Sequence, residues 1–360
     1  MDYNEVAWSI VRTGLAGGAL MANRNLESTS RISTRRGWLR ATAGGLAAAA
    51  VGGLGSAPTR ADEDDGAIKL DDADLDEVER RLKEAGIDSV RRMRSNHFDV
   101  IGDAGETFMK SCLTDCERLA FDFLRHFKAR GFEVDLPEGR LIVVAFDDDR
   151  SFGKFFDLPS LMRAGAQGVG AQPSGVYDRS TNLLNVFDWR NAPMFIRSAN
   201  RNAQTLAHEG THQLTFNTGL LDRAATPPVC VVEGLGTYGE PRKVMGPSDL
   251  GRLNIHRLDD MAKLRRMVDW IPLRELLAND KIFREGLVAR LMLAYAQSWV
   301  LIHYLLNTED RIPRFRAYLK VARTGESPEL RLKVAEEHLG DLGELDEALK
   351  AYSIKLLRSL

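Results

Sequence analysis

The strongest constraint in this 360-residue chain is a short one: Thr205-Leu206-Ala207-His208-Glu209-Gly210-Thr211-His212-Gln213-Leu214 contains H-E-x-x-H. Four residues along an α-helix is slightly more than one turn, so His208 and His212 project from one face about a turn apart. Two imidazoles so placed can bind a single metal ion, while Glu209 reaches solvent beside the metal without ligating it. The segment must therefore be a helix with a polar stripe buried at its middle. Leu206, Ala207, Leu214 and Phe216 supply apolar faces to pack it, and Gly219 suits its end. Gly210 is a poor residue for a helix interior; crowding by a substrate or metal is one reading of its small size.

A catalytic zinc site takes three protein ligands and keeps one position open. The metzincin continuation H-E-x-x-H-x-x-G-x-x-H is excluded, because Thr215 and Thr218 stand where its glycine and last histidine belong. The other common source is a glutamate on a following helix. Pro227-Pro228-Val229-Cys230-Val231-Val232-Glu233-Gly234-Leu235-Gly236-Thr237-Tyr238 supplies one, with prolines suited to a helix start. Glu233 is thus the candidate third ligand. H-E-x-x-H followed by E-G-L-x-x-Y resembles the gluzincin metallopeptidases. The closest likeness is to peptidase-MA-like families of exported bacterial proteins, some known only as domains of unknown function. The resemblance runs from about Asn96 to Trp299 and the helix after it. It implies zinc held by His208, His212 and Glu233, Glu209 as general base, a peptide or protein substrate, and a zincin-like fold. Cys230 departs from the tryptophan often found at its place. Gly236 and Gly239 replace bulkier residues, which is expected to affect packing around the third ligand more than ligation.

Tyr295 is a candidate hydrogen-bond donor to a developing oxyanion, with a core tyrosine as the simpler reading. His97, His126, His256, His303 and His338 have no partner at ligand spacing and read as structural. Three cysteines, Cys112, Cys116 and Cys230, are too few for a disulfide scaffold and read as small buried residues. Two other functions stay open: a zinc hydrolase acting on another cell-envelope bond, and a zinc-stabilised binding protein without turnover. The intact Glu209 weighs against the latter.

The N-terminus reads as an address. Thr34-Arg35-Arg36-Gly37-Trp38-Leu39-Arg40 matches the twin-arginine export pattern, an Ala/Gly-rich run follows, and Thr59-Arg60-Ala61 resembles a cleavage site. Residues 1–61 are the expected signal peptide, with Met21 as an alternative start. The product would be periplasmic or extracellular, with no stable membrane span after cleavage. A formal net charge of −2 gives no sign of nucleic-acid binding. Oligomeric state is left open.

Residues 62–95 read as a charged helical lead-in and 96–360 as the metallopeptidase domain. Its 96–199 part is α/β with a small mixed sheet and long helices; 200–360 is mainly helical. That succession is an α+β fold. Arg140–Phe146 is expected to form the best buried strand, and Gly175–Tyr177 to pair with Asn182–Phe187 around a polar turn. Asn182–Phe187 is expected to be an edge strand that an extended peptide joins. Phe283–Leu306 carries a broad apolar face that includes Leu287.

Overall fold

The central strand explains the sheet. In Leu141–Phe146 (β3) successive side chains face opposite ways. Val143 and Ala145 enter one apolar cluster, whereas Val144 and Phe146 enter another. A strand covered on both faces is apolar throughout, as this one is. The computed structural model describes residues 70–157, 175–193, 199–241, 250–278, 280–285, 287–322 and 327–359. The twin-arginine pattern, the apolar run and the expected cleavage site lie outside the described residues.

Five strands form one sheet in the order β1-β2-β3-β5-β4. These are Arg91–Arg94 (β1), Phe98–Gly102 (β2), β3, Gly175–Asp178 (β4) and Leu183–Phe187 (β5). β2, β3 and β5 run parallel, and the two edges, β1 and β4, run antiparallel to their neighbours. Two helices of the charged N-terminal half, Leu75–Glu84 (α1) and Asp149–Phe155 (α3), bring Val78, Leu82 and Phe152 to one face. The long helix Glu106–Lys128 (α2) and the H-E-x-x-H helix Ala199–Asn217 (α4) cover the other.

The remainder is helical, giving an α+β protein. Val229–Gly239 (α5), Ile255–Leu264 (α6), Leu273–Ala278 (α7), Lys281–Glu285 (α8) and Val288–Asn307 (α9) are followed by Ile312–Val321 (α10), Pro328–Leu339 (α11) and Leu342–Arg358 (α12). α9 is buried almost all round, through Leu291, Tyr295, Trp299 and Ile302 among others, so it forms the spine of this half. No helix among the described residues is long and apolar enough to cross a membrane. Cys112, Cys116 and Cys230 are buried thiols outside any disulfide, placed as small core residues.

Three local expectations change. The stretch read as helical up to Ser95 ends in a strand, β1, whose sequence Arg-Arg-Met-Arg carries no strand signal. Among the described residues it pairs on one side only, and Arg92 and Arg94 form ion pairs with Glu79 and Asp99; charge of this kind suits a sheet edge. β5 is interior, between β3 and β4, so the edge beside the metal helix is β4. Leu287 lies off the apolar face, 79% exposed at the start of α9.

Candidate metal centre

α4 and α5 build the centre between them. α4 holds His208 and His212 on one face, and the rings meet edge to face with centroids 4.7 Å apart. α5 starts after Pro228, whose fixed φ suits the entry, and delivers Glu233 in its second turn. Nε2 of His208 and Nε2 of His212 are 3.1 Å apart. Glu233 Oε2 lies 3.3 Å from the first and 3.7 Å from the second. The three sequence candidates therefore converge on one point and together could hold a metal ion. They are buried to within 1% of completely. Neither Glu233 oxygen makes a well-aligned hydrogen bond, although both ring nitrogens are near. A buried carboxylate so placed suits a cation held between it and the two rings.

The charges say the same. Glu209, Glu233 and Glu240 are buried carboxylates, and among the described residues Arg257 is the guanidinium buried beside them. Were both histidines neutral, these groups would carry an excess of negative charge that a divalent cation would balance. Burial works against charge on His208, yet Glu233 and Glu240 push its proton affinity up to about 10. Burial likewise raises Glu233, but His208 and His212 outweigh it and hold the carboxyl below its ordinary value.

The two histidines are held differently. Nδ1 of His208 is 3.0 Å from Glu240 Oε1. Burial would raise Glu240, but Arg257 and His208 hold it down at about 2. It is therefore an anion and Nδ1 is the donor to it, so the proton that a metal would displace from His208 is the one on Nε2. His212 Nδ1 has no hydrogen-bond partner. Its ring is confined by contact instead: a Cβ at Gly236 would fall 2.7 Å from its Cε1 and 2.8 Å from its Nε2, and 2.9 Å from Cε1 of His208. Gly236 thus leaves room for both imidazoles, a closeness to the histidines that the expectation from sequence did not include. Gly210 serves packing, since a Cβ there would meet Leu119 Cδ2 at 2.8 Å, with Leu184 beyond. No crowding by substrate or metal is needed to explain it.

Glu209 neighbours the centre from the sheet side. Its Oε2 accepts from the Tyr177 backbone N–H of β4 at 2.9 Å, and its Oε1 has no partner. Burial pushes its carboxyl up, against the pull of the two histidines. Tyr295 is buried on α9, and burial raises its hydroxyl well above the ordinary value, reinforced by the charge of Glu233. It stays protonated near the carboxylates.

Sequence reasoning missed Glu240, Asn254, Arg257 and the role of Gly236. Glu240 was legible in principle: it follows Glu233 by seven residues, two helical turns on the same side. Arg257 and Asn254 carry no such signal, because a separate helix brings them in.

Residues 202–329 match a family model described as protein of unknown function (DUF1570). The match takes in the three candidate ligands, Glu209, Glu240, Arg257 and Tyr295. No curated protein matches the chain.

Proposed function

We propose that the chain is a zinc-dependent hydrolase of gluzincin type that cleaves peptide bonds, with His208, His212 and Glu233 as ligands. The observation that carries this is the meeting of three donor atoms beside a carboxylate with one free oxygen. Tetrahedral zinc, with bonds of about 2.0–2.2 Å, sets its ligand atoms roughly 3.3–3.6 Å apart. The separations of 3.1, 3.3 and 3.7 Å bracket that value. Bound there, zinc supplies Lewis acidity that polarises a carbonyl and acidifies a water.

The chain's own groups do the rest. The Tyr177 N–H fixes one oxygen of Glu209 and leaves Oε1 to take a proton from the attacking water. Burial raises the affinity of that carboxyl for a proton, which suits a base of intermediate strength that must later release the proton to the leaving nitrogen. Tyr295, kept protonated, is the candidate donor to the oxyanion. β4 is an edge of the described sheet and its Tyr177 N–H already points at Glu209, so an extended peptide added to β4 would pass beside the base. The twin-arginine pattern supports export as part of the same proposal.

A second reading, a metal-stabilised binding protein without turnover, draws on one observation: Glu209 and the ligands are at most 1% exposed. One experiment separates the two. Wild type should cleave unfolded casein, and Glu209→Gln should be slower by about 10²–10⁴-fold at equal zinc content. Equal rates, or a wild type that holds zinc and leaves casein and a proteome digest intact, would refute the hydrolase.

A further inference from the structure

Arg257 stands on α6, outside the ligand set, and is only 3% exposed. Its Nε and Nη2 fork onto Glu240 at 3.1 and 2.5 Å. Asn254 donates to Glu240 Oε2 at 2.7 Å and to the Thr237 carbonyl at 3.1 Å, while its own Oδ1 receives the Arg257 backbone N–H. Both oxygens of Glu240 are thereby engaged, and one of them also faces Nδ1 of His208. On its other side the Arg257 guanidinium carbon lies 5.4 Å from the centre of the Tyr295 ring, within cation–π range. One planar group thus touches both the carboxylate behind a ligating histidine and the ring of the oxyanion-donor candidate.

We propose that Arg257 is a positioning residue that aligns His208 through Glu240 and seats the Tyr295 ring, coupling metal retention to donor placement. The inference rests on the metal-centre reading given above. The physical reason lies in the shape of guanidinium. A fork bonds two carboxylate oxygens in one plane and presents a flat face to an aromatic ring. Fixing that plane fixes where Glu240 Oε1 meets Nδ1, and therefore the direction of the Nε2 lone pair at the far side of the imidazole. Lysine keeps the charge but is a point donor, unable to bond both oxygens or to stack as a plane. A merely structural ion pair predicts that Arg257→Lys alters stability alone. A positioning role predicts altered metal binding in a folded protein.

The test uses the full chain, zinc as the probe, and a competing fluorescent chelator to read affinity. Metal-free Arg257→Lys should melt within about 3 °C of metal-free wild type, bind zinc about 10- to 100-fold more weakly, and show a shifted visible spectrum when loaded with cobalt. Tyr295→Phe should leave zinc affinity unchanged. The near-ultraviolet circular dichroism that Tyr295→Phe removes from wild type should shrink at least about twofold when the same subtraction is made in the Arg257→Lys background. Wild-type zinc affinity in Arg257→Lys, or an undiminished Tyr295 band, overturns the proposal. If Arg257→Lys does not fold, the neutral pair Glu240→Gln with Arg257→Met replaces it, and wild-type affinity in that pair is equally decisive. A wild type that binds no more zinc than His208→Ala would overturn the metal centre itself, a separate outcome.

Discussion

The two flanks of the candidate metal centre treat the polar groups around His208 and Glu209 differently. On the helical flank, formed by α5, α6 and α9, the groups behind His208 are occupied: Glu240 is bonded by Arg257, Asn254 and His208, and Thr237 Oγ1 donates to the carbonyls of Glu233 and Gly234, whereas the Glu233 oxygens and the Trp299 indole N–H have no partner. On the sheet flank, Glu209 Oε1 and the hydroxyl of Thr205, one turn earlier on α4, are buried without partners. A buried polar atom left unpaired costs stability. Under the proposed function, the difference marks where the chain would hold its ligands still and where it would keep atoms free for a reacting molecule. Each test below asks whether that division is real.

The largest effect is expected from two glycines on α5. A Cβ at Gly236 would press on both imidazoles, whereas a Cβ at Gly234 would lie 2.5 Å from Ile302 Cγ1 and 2.6 Å from the Ser298 carbonyl oxygen, where α5 crosses α9. Both substitutions to alanine favour a helix by up to about 1 kcal/mol, so helix propensity cancels from the comparison. Gly234→Ala should lose about 1–3 kcal/mol through overpacking, with zinc affinity intact in the folded fraction. Gly236→Ala should weaken zinc by at least about 100-fold, more than the loss of an outer-shell partner, at little cost to the metal-free protein. Urea unfolding with and without zinc measures both. Equal losses of stability and affinity in the two variants would erase the distinction between holding a ligand and packing a helix.

These glycines also show what the sequence could and could not tell. The H-E-x-x-H pair is local, so its geometry follows from helical period alone, and Glu233 follows from the helix that the prolines start. The strong strand Leu141–Phe146 and the β4–β5 hairpin were equally visible as apolar runs around a polar turn. What failed was non-local. Strand order decides that β5 is interior, and no pattern within Asn182–Phe187 records the neighbour on each side. The partners of Gly210 and Gly236 sit on other elements, so their crowding was misassigned. β1 was missed because its charge, useful at an edge, hides the alternation that signals a strand. The charged cluster of Glu240 and Arg257 was missed because charged residues read as solvated until a fold buries them.

An intermediate effect concerns the helical flank away from the metal. His126 Nε2 is 3.0 Å from the Tyr238 hydroxyl of α5, and His303 Nδ1 is 2.9 Å from the Tyr352 hydroxyl. Burial, with Arg130 nearby, lowers His126 to about 3. Burial lowers His303 to about 4, against a hydrogen bond with the Gly251 backbone. Both folded values lie below the ordinary one of about 6.5, so the unfolded chain takes up protons first as pH falls. The stability these neutral rings contribute is complete above about pH 6.5 and drains away toward their folded values. Allowing for solvent screening, we expect a loss on the order of 2 kcal/mol from pH 6.5 to 4.5. The double variant His126→Asn with His303→Asn should flatten that slope in metal-free urea titrations. An unchanged slope would mean that these rings are not held neutral by their packing.

The smallest effect is the most direct test of the division, because it predicts opposite signs for one chemical change. Thr205 is 2% exposed, with an unpaired hydroxyl; Thr237 is fully buried, with its hydroxyl 2.8 Å from the Glu233 carbonyl and 3.0 Å from that of Gly234. Valine matches threonine in shape and removes only the hydroxyl. At Thr237 it deletes a satisfied group and should cost about 1 kcal/mol. At Thr205 it relieves a buried hydroxyl without a partner and should stabilise by roughly 0.5–1.5 kcal/mol. If the sheet flank is kept free for the reacting molecule, Thr205→Val should also slow casein cleavage several-fold while zinc content holds constant. Gains of stability at a working site are commonly accompanied by such a loss. Destabilisation by Thr205→Val comparable to that of Thr237→Val would mean that the Thr205 hydroxyl is already satisfied in the folded protein, and the contrast between the flanks would then reduce to Glu209 alone.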